Sequence, residues 1–288
     1  MKADIFLYIM GTAGAGKSTM VNAFQSWMFR QGYNAVTLNL DPGGVNLPYN
    51  PDVDIRDWVR LEDIMDEYSL GPNGAQVTAS DMMYMHIEDI RESLEGFRTD
   101  YYLVDTPGQM ELYAYREPTR DLIGSLSLGN SASLFLYDPL LSRTPGGMVS
   151  QLTLASSIKY RLDMPFYQAL NKVDILEDAD RERILGWMDP EKLYQDLLEW
   201  SRGNRFEGTG AQGNFGDNEG NGNSQGSDIP MMKSTMETEL GINLFRALEG
   251  TGEAANLVPC SATTLEGLED LYSMVQASFM GGEDLDAA

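Results

Sequence analysis

Glycine, lysine and serine residues near the amino end have a spacing that could hold phosphate groups. The stretch GTAGAGKS, residues 11–18, matches the pattern G-x-x-x-x-G-K-[ST] in full. Its glycines would let successive backbone N–H groups surround phosphate oxygens, and the start of a following helix would add partial positive charge. Lys17 would then reach the β- and γ-phosphates, and Ser18 would bind Mg²⁺. The residues predicted to bind nucleotide here are Gly14, Ala15, Gly16, Lys17, Ser18 and Thr19.

A second acidic motif follows the apolar run YYLV. Asp105-Thr-Pro-Gly108 has the D-x-x-G arrangement, in which a carboxylate stands at a strand end and a glycine follows three residues later. Asp105 would hold Mg²⁺ directly or through water, because Mg²⁺ usually keeps several waters. The N–H of Gly108 would meet the γ-phosphate. Because Asp, Pro and Gly are also turn residues, a plain turn is the alternative when the motif is taken alone.

A third motif predicts which base the site accepts. Asn171-Lys172-Val-Asp174 has the N-K-x-D spacing, in which a carboxylate can accept hydrogen bonds from guanine N1–H and its 2-amino group. Adenine lacks both donors, so a desolvated carboxylate would discriminate against it. Lys172 would lay its aliphatic stem along the purine, and Asn171 would hold the base edge or the neighbouring loops. Ser261 and Ala262 resemble the loop whose backbone N–H receives guanine O6. The three motifs together favour GTP over ATP.

Short apolar runs precede each of these motifs and alternate with helical patterns. Strands are predicted at residues 4–10, 34–40, 101–105, 133–137, 166–170 and 256–259. Helices are predicted from residue 16 onward and at 57–68, 76–97 and 265–279. The apolar stripe within 76–97 predicts core packing, with a dimer surface as the alternative. Such alternation predicts an α/β fold with a parallel sheet covered by helices on both faces, in three layers.

Composition narrows the classes of partner. The 288 residues carry 20 basic and 44 acidic side chains, for a net charge of −24, which disfavours binding to nucleic acid. The acids are spread along the chain, a pattern that suggests adaptation to high salt. A single cysteine excludes an internal disulfide and a multi-cysteine metal site. With no apolar run of about 20 residues and no signal-peptide pattern, we expect a cytoplasmic protein without membrane contact.

The motifs lie on both sides of one stretch that cannot form a core. Residues 203–228 are rich in Gly, Asn and Ser and nearly free of apolar side chains, which predicts a flexible insertion. We therefore expect a single GTPase domain over residues 1–280 that contains this insertion. The acidic residues 281–288 are predicted to form a disordered tail.

Two further segments carry a family resemblance. Gly71-Pro72-Asn73-Gly74 lies between helical patterns, and Asn39-Leu-Asp41-Pro ends the second predicted strand. Gly-Pro-Asn-Gly alone is a common turn composition, so its weight comes from the motifs that accompany it. Together with DTPGQME, residues 105–111, these segments closely resemble the GPN-loop GTPases from residue 5 to about 279.

The resemblance implies a P-loop NTPase fold of the SIMIBI type with a helical GPN-loop segment. It also implies a homodimer in which Gly71, Pro72 and Asn73 complete the phosphate site of the partner. Asp41 matches the acid of the first switch loop, near magnesium and the attacking water. Gln109 matches a residue of the second switch loop that is suited to orienting that water. The catalytic residues expected on this basis are Lys17, Asp41, Asn73 and Gln109.

One position departs from some dimeric relatives, whose phosphate loops carry an extra lysine where this chain has Thr12. Asn73 from the partner subunit would compensate for that lysine.

Several functions remain open at this point. The first is a GTP-hydrolysing switch, and the second is a nucleotide-gated chaperone or binding module with negligible intrinsic hydrolysis. Eukaryotic relatives are linked to RNA polymerase assembly, so the resemblance implies a protein client of that kind. A metal-insertion GTPase would usually show His- or Cys-rich tracts, and this chain has one His and one Cys. An ATP-dependent kinase would leave the guanine motif unexplained.

Overall fold

Seven parallel strands form one sheet in the described part of the chain. The computed structural model describes residues 5–109, 117–127, 130–201, 241, 243–246 and 257–279. The strands are β1 (Ile5–Gly11), β2 (Ala35–Asn39), β3 (Val53–Asp54), β4 (Tyr101–Asp105), β5 (Ser131–Tyr137), β6 (Phe166–Leu170) and β7 (Leu257–Pro259). Their order across the sheet is β3-β2-β4-β1-β5-β6-β7. The predicted α/β class and the parallel sheet are confirmed.

Helices connect most of these strands. The α-helices include α1 (Lys17–Arg30), α2 (Leu61–Tyr68), α3 (Pro72–Met85), α4 (Ile87–Leu94), α5 (Glu117–Ser127), α6 (Pro145–Leu162), α7 (Asp178–Gly186), α8 (Pro190–Ser201) and α9 (Leu268–Phe279). Helical crossovers of this kind are what parallel strands require, because a tight turn cannot join them.

Strand β1 shows why both faces of the sheet are covered. All seven of its residues are buried, as expected for a central strand between two helical layers. Ile5, Leu7 and Ile9 belong to a core cluster that includes residues of α1 and α9. Tyr8 faces the other way, and its hydroxyl donates to the carbonyl of Ile123 in α5. The predicted arrangement of three layers follows from this alternation.

The register of the sheet brings the carboxyl ends of the strands to one edge. Asp105, the last residue of β4, is paired with Ile9 of β1 and Asn39 of β2. On the other side, Leu170 at the end of β6 is paired with Pro259 of β7. The phosphate loop, the Asp41 segment, the D-x-x-G motif, the base motif and the Ser261 loop each begin within a few residues of such a strand end, so the fold places these five along the same edge. The Gly-Pro-Asn-Gly segment, residues 71–74, instead follows α2.

Several elements differ from the sequence prediction. The helix predicted over 76–97 is divided into α3 and α4 at His86, whose backbone (φ −101°, ψ 16°) leaves the helical region. The predicted helix 57–68 begins only at Leu61, because residues 55–57 form a 3₁₀ turn. The sequence prediction also omitted β3, which has only two residues, and the helices α5, α6, α7 and α8. Of the predicted stripe, Met83, Ile87, Ile90 and Leu94 are buried and Phe97 is half-buried, which fits the core interpretation.

The chain divides into two compact units. One unit comprises residues 1–140, 154–176 and 256–288 and carries the sheet. The other comprises 141–153 and 177–255, where Trp187 is buried and donates its indole N–H to Asp196 at 2.6 Å. The predicted insertion at 203–228 and tail at 281–288 lie outside the described residues. The single-domain organisation stays a prediction. Within the described chain, no helix is both long and apolar enough to cross a membrane.

Candidate nucleotide-binding site

The predicted phosphate loop joins β1 to α1 and has the backbone of an anion-binding loop. Gly14 and Gly16 have φ values of +81° and +92°, which favour glycine over any residue with a Cβ atom. Gly16 is the residue before α1, and no side chain caps that helix end. The first N–H groups of α1 therefore lack a side-chain acceptor, a condition that suits an anion. Ser18 and Thr19 belong to the first turn of α1.

Lys17 lies against the loop that it follows. Its side chain is almost fully buried, and Nζ donates to the carbonyls of Gly11 at 3.0 Å and Thr12 at 3.1 Å. The hydroxyl of Thr12 is buried without a hydrogen-bond partner. An ammonium group held on backbone carbonyls is ready to transfer its hydrogen bonds to phosphate oxygens, which are stronger acceptors because they are charged.

Asp105 lies at the end of β4 with one carboxylate oxygen satisfied and one not. Its Oδ2 accepts from the hydroxyl of Tyr49 at 3.1 Å, whereas its Oδ1 is buried without a hydrogen-bond partner. Burial raises the pKa of Asp105 to about 6, although hydrogen bonds from Ser18 and Tyr49 oppose the shift. A buried oxygen without a donor, beside the hydroxyl of Ser18, fits the oxygen ligands that Mg²⁺ prefers. The residues present therefore fit the implied metal.

Asp41 follows β2, at the same edge of the sheet as Asp105. Burial raises the pKa of Asp41, while hydrogen bonds from the backbone N–H of Gly43 and Gly108 and the charge of Lys17 lower it. The Gly43 N–H donates to Asp41 Oδ1 at 2.9 Å. The structure thus brings the predicted first-switch acid close to the phosphate-loop lysine and to the glycine of D-x-x-G. Gln109 is exposed.

The base motif is tied to the phosphate loop through Asn171. The Nδ2 of this buried side chain donates to the carbonyl of Ala15 at 2.9 Å. Its Oδ1 accepts from the backbone N–H of Ala262 at 3.3 Å. Asn171 therefore joins the loops that follow β1, β6 and β7.

Lys172 makes a second connection between the base motif and the phosphate loop. It has a left-handed backbone (φ 57°), and its Nζ donates to the carbonyl of Gly14. The same ammonium forms an ion pair with Asp138 at 3.1 Å. The carboxylate of Asp138 is mostly buried and also accepts from the Leu140 N–H at 2.8 Å. The sequence analysis missed Asp138, although its position directly after the apolar strand β5 is a usable signal.

Asp174 and Ser261 form the outer part of the predicted base site. Ser261 is buried and donates its hydroxyl to Asp174 Oδ1 at 2.6 Å. Asp174 itself is exposed. Cys260 is buried beside this loop, and burial raises the pKa of its thiol to about 12. A carboxylate oriented by a neighbouring hydroxyl and open to solvent can accept the donors of a purine edge.

The Gly-Pro-Asn segment starts α3 and faces outward. Gly71 precedes the helix, Pro72 is its first residue, and its fixed φ suits that position. Gly71, Pro72 and Asn73 are all exposed. The side chain of Asn73 makes no hydrogen bond to any described residue. The structure thus presents the amide of Asn73 to the surroundings and does not tie it to the site of its own chain.

The joining of the two loops allows a prediction about Gly16. A Cβ atom added there would lie 2.6 Å from Asn171 Nδ2, whereas a Cβ on Gly14 would meet nothing within 4 Å. Both positions have positive φ, so an alanine at either one adds backbone strain of about 1 kcal/mol. Only Gly16→Ala adds a steric clash as well. We expect Gly16→Ala to lower the free energy of unfolding more than Gly14→Ala does, measured by urea denaturation without nucleotide. Equal losses would mean that Asn171 does not pack against this loop.

Comparison with known proteins identifies a matching family and similar chains. Residues 9–281 match a family model described as a conserved hypothetical ATP binding protein. GPN-loop GTPase 3 of Eremothecium gossypii is 34% identical over 190 residues, which cover 64% of this chain and 70% of that protein. GPN-loop GTPase 1 of Dictyostelium discoideum is 31% identical over 201 residues, or 68% of this chain. That alignment spans only half of the Dictyostelium protein's own length.

A solved structure is similar over the whole fold. The apo form of a GTPase from Pyrococcus abyssi is 26% identical, with a TM-score of 0.72, and the match covers 97% of this chain and 99% of that one. The family description names ATP, whereas these relatives are named as GTPases. From the family model and the Eremothecium relative together, we conclude that this chain belongs to the GPN-loop GTPase family.

Proposed function

We propose that this chain binds GTP with Mg²⁺ and hydrolyses it to GDP and phosphate as a homodimeric switch. The observation that carries the proposal is the joining of two predicted sites: Asn171 and Lys172 of the base motif both bond to carbonyls of the phosphate loop. A nucleotide bound by one motif is thereby positioned on the other. Family membership supports the more general conclusion that this chain is a nucleotide-binding P-loop protein.

Different residues bind the phosphate end and the base end of the nucleotide. The N–H groups of residues 14–18 hold the phosphates, and Lys17 moves its hydrogen bonds from the carbonyls of Gly11 and Thr12 to the β- and γ-phosphates. At the base end, Asp174 accepts from guanine, the Ala262 N–H receives its O6, and Lys172 covers the purine.

Hydrolysis would then depend on position and electrostatics. A water attacks the γ-phosphorus, the bond from that phosphorus to the bridging oxygen breaks, and GDP leaves with the electron pair. Asp41 and Gln109 orient the water, and Gly108 N–H donates to the γ-phosphate. The side-chain amide of Asn73 from the partner subunit donates a hydrogen bond to the transferred phosphoryl group, where charge develops. Bound Mg²⁺, held by Ser18 and Asp105, would supply neutralising charge at the phosphates.

The proposed role for this switch is assembly of a protein complex, with an RNA polymerase client as the family resemblance suggests. Switch loops that order around the γ-phosphate and relax after its release would provide the change of shape.

The direct test measures phosphate release from GTP and from ATP, with Mg²⁺ and high KCl, across a dilution series of the protein. Turnover of GTP alone, with specific activity that falls on dilution, supports both the base site and a site completed by dimerisation. Equal use of ATP would contradict the base site. Tight GTP binding without release at any concentration would favour the second candidate, a nucleotide-gated binding module.

The metal site leads to a separate prediction. Asp105→Asn removes the carboxylate whose Oδ1 is buried without a partner, so we expect the Mg²⁺ concentration for half-maximal GTP hydrolysis to rise by about tenfold or more. The same shift should appear in the Mg²⁺ dependence of GTP affinity measured by calorimetry. Asp63→Asn, an exposed acid in the first turn of α2, is the matched control. An unchanged Mg²⁺ requirement would remove Asp105 from the metal site.

A further inference from the structure

The loop that carries Asp41 is held from both sides by side chains to which the sequence analysis assigned no role. Asn39, the last residue of β2, is fully buried. Its Oδ1 accepts from the Asp41 N–H at 3.0 Å, and its Nδ2 donates to the Asp41 carbonyl at 3.2 Å. The same Nδ2 donates to Asp54 Oδ1 at 2.9 Å. The amide thus connects the backbone of Asp41 to the end of β3.

Asp54 is in turn bound by Arg56. The Nε of Arg56 donates to both carboxylate oxygens of Asp54, at 2.9 and 3.0 Å, and Nη2 donates to Oδ2 as well. Burial raises the pKa of Asp54, but the hydrogen bonds from Arg56 and Asn39 outweigh this effect and hold it below its usual value. Only a planar guanidinium can make this forked contact.

The remaining arm of Arg56 reaches the loop itself. Its Nη1 donates to the carbonyl of Gly44, directly after the Gly43 N–H that bonds to Asp41. One guanidinium therefore bridges the carboxylate of Asp54 and the far end of the segment Asp41–Gly44. Asn39 holds the near end of that segment through the same carboxylate.

We propose that Arg56, acting through Asp54, is a positioning residue that holds the segment Asp41–Gly44 in place for attack on the γ-phosphate. This inference rests on the proposed GTP hydrolysis. Arg56 acts on the carbonyl of Gly44 and on Asp54, and Asp41 is the residue that it positions. Because the base and the α- and β-phosphates are held by other loops, Arg56 affects turnover and leaves GDP binding unchanged.

The test replaces Arg56 with Lys, which keeps the charge but cannot bridge Asp54 and Gly44 together. We expect Arg56→Lys to lower kcat for GTP by on the order of tenfold, because small displacements of reacting groups have effects of this size or larger. The affinity for GDP should stay within about twofold of the wild type. Arg91→Lys is the matched control, since Arg91 forms an ordinary ion pair with Glu88 at 3.2 Å in α4.

A double-mutant cycle and hydrogen exchange complete the experiment. Because Arg56 and Asp54 hold the same segment together, the double variant Arg56→Lys/Asp54→Asn should lose less kcat than the product of the two single losses. Fully independent losses would contradict the coupling. Amide exchange in a peptide covering residues 41–47 should be faster in Arg56→Lys than in the wild type, while exchange in α4 is unchanged. This readout needs no catalytic activity.

The outcomes separate the inference from the function on which it rests. Wild-type turnover with an unchanged kcat in Arg56→Lys would overturn the inference and leave the function intact. A parallel fall in kcat, GDP affinity and melting temperature would show that Arg56 supports the whole fold, which also overturns it. A wild type that releases no phosphate contradicts the proposed function, and unchanged exchange at residues 41–47 would then still overturn the role of Arg56.

Discussion

Replacing Asp174 with Asn is expected to change the base preference of this protein from guanine to xanthine. The carboxylate of Asp174 can accept from guanine N1–H and the 2-amino group. An Asn side chain would place its own N–H donors against that amino group. One hydrogen bond is lost, and two hydrogen-bond donors face each other. Xanthine carries a carbonyl at the same place, to which the amide of Asn can donate.

We expect Asp174→Asn to weaken GDP binding by about 100-fold or more, because an unmatched polar group in a desolvated site has effects of this size. XDP should bind the variant more tightly than it binds the wild type. Calorimetric titration of GDP and XDP into the wild type and the variant measures this change in base preference. The hydroxyl of Ser261, 2.6 Å from Asp174 Oδ1, can also donate to an Asn oxygen, so the loop should keep its shape.

The matched control for this variant is Asp178→Asn, an exposed acid in the first turn of α7. It makes the same change of charge away from the base motif and should leave both affinities unaltered. Unchanged GDP affinity in Asp174→Asn would mean that the N-K-x-D segment does not read the base, and the ATP named in the family description would then regain weight.

Mixing two inactive variants is expected to restore GTP hydrolysis. Lys17→Ala removes the ammonium at the phosphate loop, and Asn73→Ala removes the amide that we assign to the partner's site. Each variant alone should lose on the order of 100-fold or more in kcat, as measured for single donors at a developing charge. A heterodimer of the two contains one site with both groups intact, because each subunit supplies what the other lacks.

Random exchange of subunits makes half of the dimers mixed, so an equal mixture should recover about a quarter of the wild-type rate. Phosphate release before and after mixing is the measurement, with differently tagged subunits to verify exchange. A mixture of Lys17→Ala with the double variant Lys17→Ala/Asn73→Ala is the control and should stay inactive. Verified exchange without recovery would place Asn73 outside the partner's site.

The sequence by itself determined the class of the fold and the loops that form its functional edge. Each motif of the predicted phosphate, metal and base sites directly follows a strand, whereas the Gly-Pro-Asn segment follows a helix. Because parallel strands place their carboxyl ends together, the chain order of strand and motif was enough to bring those sites to one edge. The boundaries of β4 and β6 were predicted to the residue, since both are short apolar runs. Glycines at positive φ in the phosphate loop are likewise a local property.

Only the tertiary structure decided which side chains meet across the chain. Asn171 bonds to Ala15 across 156 residues, and Tyr49 bonds to Asp105 across 56. No local pattern encodes such pairs, because they follow from the packing of strands that are distant in sequence.

Tertiary packing also decides the helix break at His86 and the bridge from Arg56 to Asp54 and Gly44. The apolar spacing of residues 76–97 is that of one continuous helix, yet the chain turns at His86, where Trp58 packs against the imidazole ring at 6.4 Å between centroids. Arg56 and Asp54 lie in a segment whose strand has only two residues. Periodicity cannot detect so short an element, whereas pairing with β2 forms it and thereby positions the side chains that hold the loop of Asp41.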